Sequence, residues 1–245
     1  MILFACLLLA HIIADFYLQP HAWIMSKVKY KIRSIGLVKH ICVHIILTAL
    51  ALFVGGVPLS TAFIIALLII IITHYAIDVW KTYMGFTTKF FIIDQFSHLL
   101  VLLGVSLWLS GSNLSTIQLF IENNVNTSTF VLIIGYLLAY KPLSILIQLL
   151  LRPYLNQFEN ADQENTGLQT AGEYIGGLER FLVITFVLLG QFAGIGFLLA
   201  AKSVFRFGDM RRQTDRKLTE YIMLGTLLSF TFALIIGLSI TKLRA

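Results

Sequence analysis

The chain has 245 residues, 58% of them hydrophobic and only 12% charged, with a mean hydropathy of +0.87. A soluble domain carries about 25% charged residues, so disordered, collagen-like and basic-tail classes are excluded and an ordinary soluble domain is disfavoured. One bilayer span takes about 20 residues, so the expectation is an all-α, polytopic transmembrane helical bundle of about seven spans.

Residues 2–18 form the first span; its His11 and Asp15 do not suit a signal-peptide core, so it is read as retained. Residues 20–39 are polar and basic, with Lys27, Lys29, Lys31, Arg33 and Lys39 and no acid. A second span from about Lys39 to Val54 ends in the turn Gly55–Gly56–Val57–Pro58. The third, 60–79, closes on Trp80 and Lys81, an aromatic and a cation suited to the interface. The fourth covers about 91–109, and a polar stretch rich in asparagine follows over 111–129. Residues 130–151 are apolar but interrupted at Lys141–Pro142, and 152–174 are hydrophilic. Another span runs from about Tyr174 to Ala201, a basic loop occupies 202–217, and the last span is about 219–240. The expected organisation is a four-helix membrane bundle over 1–110, a polar loop over 111–129, and three further membrane helices over 130–245. Cys6 and Cys42 both lie in apolar segments and read as buried thiols rather than a disulfide.

Charge bias sets orientation. The basic 20–39 and 79–90 loops are two spans apart, so both face the cytoplasm and Met1 lies outside. The basic 202–217 loop conflicts with this under a plain seven-span count. Two threadings remain. In one, 130–151 is a broken or re-entrant hairpin bent at Lys141–Pro142. In the other, which we favour, all seven segments cross and the 202–217 cations face anionic headgroups or a site mouth.

The polar residues inside the spans do not scatter. They form four pairs, His11/Asp15, His40/His44, His74/Asp78 and Asp94/His98, each spaced i, i+4 and so on one helix face one turn apart. Up-and-down threading brings all four pairs to one side of the bilayer, the cytoplasmic leaflet by the charge bias. Ionisable groups within spans are costly and mark sites or pathways. Imidazole pairs at this spacing suit a divalent cation. The metal-ligand candidates are His11, His40, His44, His74, Asp78, Asp94 and His98. Oxygen and imidazole donors without thiolate fit zinc first, with manganese or iron as alternatives, as one or two ions.

The runs LLLAHIIADFYLQ (7–19), VKHICVH (38–44), HYAIDVWK (74–81) and FIIDQFSHLL (91–100) resemble a widespread, uncharacterised bacterial family of integral membrane proteins, a numbered domain of unknown function. GEYIGGLERFLV (172–183), AKSVFRF (201–207) and EYIMLGTLLS (220–229) extend the resemblance over nearly the whole chain. It implies a multi-pass protein of the bacterial cytoplasmic membrane whose polar positions include Lys81 and Gln95 beside the four pairs. Glu179, Arg180, Lys202, Arg206, Glu220 and Ser229 match in the second half. The family brings no established activity.

The leading expectation is a metal-dependent membrane hydrolase acting on a lipid-like or phosphorylated substrate near the cytoplasmic leaflet. An unliganded Asp15, Asp78 or Asp94 would serve as general base, while Lys81 and Gln95 stabilise negative charge. Glu179, Arg180, Lys202, Arg206 and Glu220 are candidates for an anion or ion-pair site. The alternatives are a metal-ion or proton-coupled transporter and a metal-stabilised scaffold or sensor. The lipid bilayer is the one sure partner, and no nucleic acid is expected.

Overall fold

The side chains that a soluble protein would hide lie outermost here. Ile46, Ile72 and Leu107 are each more than 60% exposed, while His40, His44, His74, Asp78, Asp94 and His98 are buried. An apolar exterior around a polar interior is stable only where the surroundings are hydrocarbon, so the chain is a membrane protein.

The computed structural model describes residues 2–85, 87–110, 127–155, 166–207 and 213–244. These are all-α: α1 (Ile2–Ile12), α2 (His21–Tyr30), α3 (Ile35–Val54), α4 (Thr61–Met84), α5 (Thr88–Ser110), α6 (Thr127–Leu155), α7 (Thr166–Leu188), α8 (Phe192–Phe207) and α9 (Gln213–Arg244). Most of the polar 111–129 stretch, part of the hydrophilic 152–174 segment and the centre of the basic 202–217 loop lie outside the described residues. Five described helices are long and apolar enough to span a membrane, or six with the bent pair Ile2–Tyr17 and His21–Arg33 taken as one span. The chain divides into two compact units, Met1–Ile134 and Gly135–Ala245.

In the first unit, each long helix turns one stripe inward. The buried positions are His40, His44 and Thr48 on α3, Ala66, Ile70, His74 and Asp78 on α4, and Asp94, His98 and Leu102 on α5. Each set repeats at four residues, so every inward stripe is apolar at one end and polar at the other. The apolar ends join Leu3, Leu7 and Leu52 in one core cluster. Cys6 and Cys42 are free thiols; Cys42 is exposed rather than buried, on the outer side of α3.

Two local departures from regular helix shape this unit. After α1 the chain widens into a π-helical turn, Ile13–Tyr17, closed by Leu18 N–H donating to the Ile13 carbonyl at 2.9 Å. Such turns recur at functional sites. The chain then bends by 82° into α2. The basic 20–39 segment, expected as a loop, is therefore a helix folded onto the start of α3. Gly36 makes the approach possible: a Cβ there would lie 2.7 Å from the Trp23 carbonyl oxygen. Ser34 caps α3 by accepting from Leu37 N–H, and its hydroxyl also meets Ser26 of α2 at 2.8 Å. Lys31, which ends α2 with a left-handed φ of 53°, donates to the Thr82 carbonyl near the end of α4.

The second unit removes one of the two alternatives left by the sequence and corrects one expectation. Residues 130–151 are not a hairpin: α6 runs unbroken through Pro142. Proline removes one ladder hydrogen bond and crowds the carbonyl four residues back. Arg180 of α7 supplies donors beside that lesion. Its Nε donates to the Ala139 carbonyl at 2.5 Å and one terminal nitrogen to the Tyr140 carbonyl at 3.1 Å, while other N–H groups reach Ser144 and Ser229. The single span expected over Tyr174–Ala201 is instead two helices, α7 and α8, parted at Leu189–Gln191. Gly190 takes a φ of +69° there, a conformation glycine adopts without cost, and Gln191 N–H closes the turn on the Phe186 carbonyl. Arg180→Met is expected to lower stability by about 2 kcal/mol, from four side-chain bonds at about 0.6 kcal/mol each. An earlier midpoint in a denaturing-detergent titration would show it; an unchanged midpoint would contradict it.

Candidate metal centre

The four polar pairs lie at the same end of the first unit's inward stripes, and their side chains meet. The π-helical turn carries Asp15 across to α3, where His44 Nε2 donates to its Oδ1 at 2.7 Å. The same oxygen lies 3.4 Å from His40 Nε2 and 3.7 Å from His74 Nε2, and the second oxygen is 3.7 Å from His11 Nε2. One carboxylate thus faces four imidazoles from three helices. His74 sits in their midst, its Nδ1 3.1 Å from His98 Nδ1 and its Nε2 3.2 Å from His40 Nε2. A neutral imidazole has one N–H, so His74 donates to one neighbour and accepts from the other. The His44 and His74 rings are stacked with centroids 3.7 Å apart.

The other two carboxylates are differently placed. Asp78 accepts from Lys27 Nζ at 2.5 Å, and Asp94 accepts from Lys81. Gln95 bridges the two sides, donating to Asp94 at 3.0 Å and to Asp15 at 3.4 Å. Lys27 is 8% exposed, a buried ammonium delivered by α2. Nothing in its local sequence separates it from the neighbouring Lys29 and Lys31; only the docking of α2 does so.

Three groups of side chains bring potential ligand atoms within 4.8 Å of one another: His11, Asp15, His44 and His74; His40, His74 and Asp78; and Asp78, Asp94 and His98. These clusters can coordinate a divalent metal. Their fit to a cation has independent support, because His11 Nε2, His40 Nδ1, His98 Nε2 and Asp94 Oδ1 are buried without a hydrogen-bond partner. Each orphaned atom costs about 1–3 kcal/mol, a cost that ligation or a bound water would relieve. The lysines separate the three groups. Lys27 and Lys81 already neutralise Asp78 and Asp94, so an ion in the second or third group would compete with an ammonium for the same oxygen. Asp15 is faced by imidazoles and Gln95 instead.

Among the described side chains, three of the second-half candidates divide between an ion pair and a separate hydrogen-bond network. Lys202 donates to Glu179 at 2.6 Å, and the pair neutralises itself. Arg180 spends its donors on carbonyls and hydroxyls of α6 and α9. Glu220 is exposed at the start of the apolar part of α9, and the side chain of Arg206 lies outside the described residues.

Residues 3–127, just over half of the chain, match the family described as protein of unknown function (DUF3307). The matched region contains every member of the histidine–aspartate cluster. No curated protein and no solved structure matches the chain.

Proposed function

The chain belongs to the DUF3307 family of proteins of unknown function, and from the site we propose that it is a metal-dependent membrane hydrolase, with one divalent ion held by His11, Asp15, His44 and His74. The observation that carries this reading is the contrast among the carboxylates: two are neutralised by lysines, while Asp15 is ringed by imidazoles. Three nitrogens and one oxygen match the donor preference of zinc, with manganese or iron as alternatives. The ion would supply Lewis acidity and an activated water.

Around it, this chain's own groups take separate tasks. Asp15 serves as a ligand rather than as a proton acceptor. Asp94 is the general base: Lys81 and Gln95 hold its Oδ2, while its Oδ1 makes no hydrogen bond and faces His98 Nε2 at 3.5 Å. Lys81 and Gln95 stabilise negative charge on a reacting phosphoryl or carbonyl group. Lys81 is the more accessible of the two lysines, with 24% of its side chain exposed against 10% for Lys27. A lipid-like or phosphorylated substrate would therefore approach past Lys81 and Gln95, on the cytoplasmic side by the charge bias of the loops. The five orphan-or-bound imidazoles near that mouth are otherwise shielded from hydrocarbon by the helices' apolar faces.

The test is turnover by the purified chain in lipid nanodiscs, across a panel of phosphoester and carboxyl-ester lipids. Activity abolished by a chelator and restored by zinc, and absent in Asp94→Asn, supports the proposal. No turnover of any panel member with the ion bound counts against it. The 82° break beside Asp15 favours a second reading, cation transport, because broken helices form transport sites. Metal uptake into liposomes without turnover would establish that reading instead.

A further inference from the structure

Beneath the imidazole cluster, one turn deeper into the bundle, lies a small cavity. His11, His44, His74 and His98 line its polar end, Thr48 and Thr73 add hydroxyls, and apolar side chains including Leu102 line the rest. It measures about 10 Å³, room for a ligand of a single heavy atom such as water. Three of its lining residues are proposed ligands, but Asp15, the fourth, is not among them. The cavity thus adjoins the three imidazole ligands and not the carboxylate. Two of the lining imidazoles, His11 and His98, carry buried Nε2 atoms without a hydrogen-bond partner.

From this arrangement we infer that the cavity is the ion's exchangeable ligand position, a site for water or a one-heavy-atom anion. The inference rests on the metal reading above and adds to it that the centre is open rather than closed. A structural ion is coordinatively saturated by protein, whereas a catalytic one keeps a position for water. With four protein ligands in place, the cavity supplies a fifth position. Its size selects the ligand. Water, hydroxide and hydrosulfide fit, whereas a triatomic anion such as thiocyanate does not.

The experiment uses the full chain loaded with cobalt(II), whose visible spectrum reports changes in its ligands. Hydrosulfide is expected to shift the wild-type spectrum, and thiocyanate to leave it unchanged. Thr48→Leu, which fills the cavity, is expected to keep its cobalt and to bind hydrosulfide at least tenfold more weakly. Thr48→Ala, which enlarges the cavity, is expected to admit thiocyanate. This gain of binding keeps the test decisive even where the leucine variant fails to fold. Wild-type protein holding one cobalt per chain whose spectrum ignores hydrosulfide would overturn the inference and leave the metal reading standing. So would a folded Thr48→Leu that binds hydrosulfide like wild type, or a Thr48→Ala that still excludes thiocyanate. Wild-type protein that takes up no cobalt would overturn the metal reading itself, and the inference with it.

Discussion

Asp15→Asn is expected to weaken binding of the divalent ion by more than a hundredfold while the helices keep their places. Asparagine has nearly the same shape, so the π-helical turn and the packing of Ala14 and Phe16 are retained. What changes is the charge and one ligand atom. The carboxylate lies within 3.7 Å of His11, His40, His44 and His74, and no lysine neutralises it in place of a metal. Loss of partners that merely orient metal ligands costs 10–100-fold in affinity; loss of the ligand that carries the negative charge costs more. Competition against a chelating indicator measures this directly. An affinity within tenfold of wild type would show that the ion, if bound, sits elsewhere. Cys42→Ser on the exposed side of α3 is the control and should change nothing.

Lys27→Ala is expected to destabilise the first unit by about 3–5 kcal/mol, because removing one partner of a buried pair leaves the other charge uncompensated. The pair is short at 2.5 Å, and both side chains are at most 10% exposed. Loss of the bond would also loosen α2 from α4, leaving Lys31 and the Thr82 carbonyl as the remaining tie between them. The double variant Lys27→Met/Asp78→Asn removes both charges, and it is expected to recover most of the loss, since apolar replacement of a whole buried pair is often neutral. A denaturation series on wild type, Lys27→Met, Asp78→Asn and the double variant gives the coupling. Independent, additive effects would contradict the pairing.

Much of this organisation is legible in the sequence because membrane burial inverts the usual economy of side chains. Charged and imidazole groups within apolar runs are few, so their i, i+4 spacing stands out, and the equal depth of the four pairs follows from counting residues along each run. In the structure His40, His44, His74 and His98 indeed share one cluster with Asp15. The role of Lys27 was hidden for the opposite reason. Residues 27, 29, 31 and 33 are all cations in a segment without acids, which reads as a solvated loop obeying charge bias. The fold of α2 onto α3 depends on a missing Cβ at Gly36 and on two serines, features with no periodicity to reveal them.

Proline and glycine act in opposite ways here. Pro142 leaves a break open as an alternative, but Arg180 offers the neighbouring carbonyls new donors from 40 and 41 positions away in sequence, and α6 continues. That compensation is tertiary and invisible to local rules. Gly190 lies in an apolar run long enough to span a bilayer, yet its left-handed φ ends α7 there. The second-half charges read in sequence as either an anion site or ion pairs, and spacing alone does not choose between them. In the structure Glu179 and Lys202 pair with each other, and Arg180 makes four bonds to α6 and α9.

The central claim is that the imidazole–carboxylate cluster binds a divalent ion. Elemental analysis of the purified chain beside His74→Ala tests it most directly, because His74 belongs to two of the three ligand groups and contacts both His40 and His98. The expected result is about one zinc, manganese or iron per wild-type chain and nearly none in the variant. A metal-free wild type after purification and reloading, or a folded His74→Ala that keeps its full complement, would contradict the account.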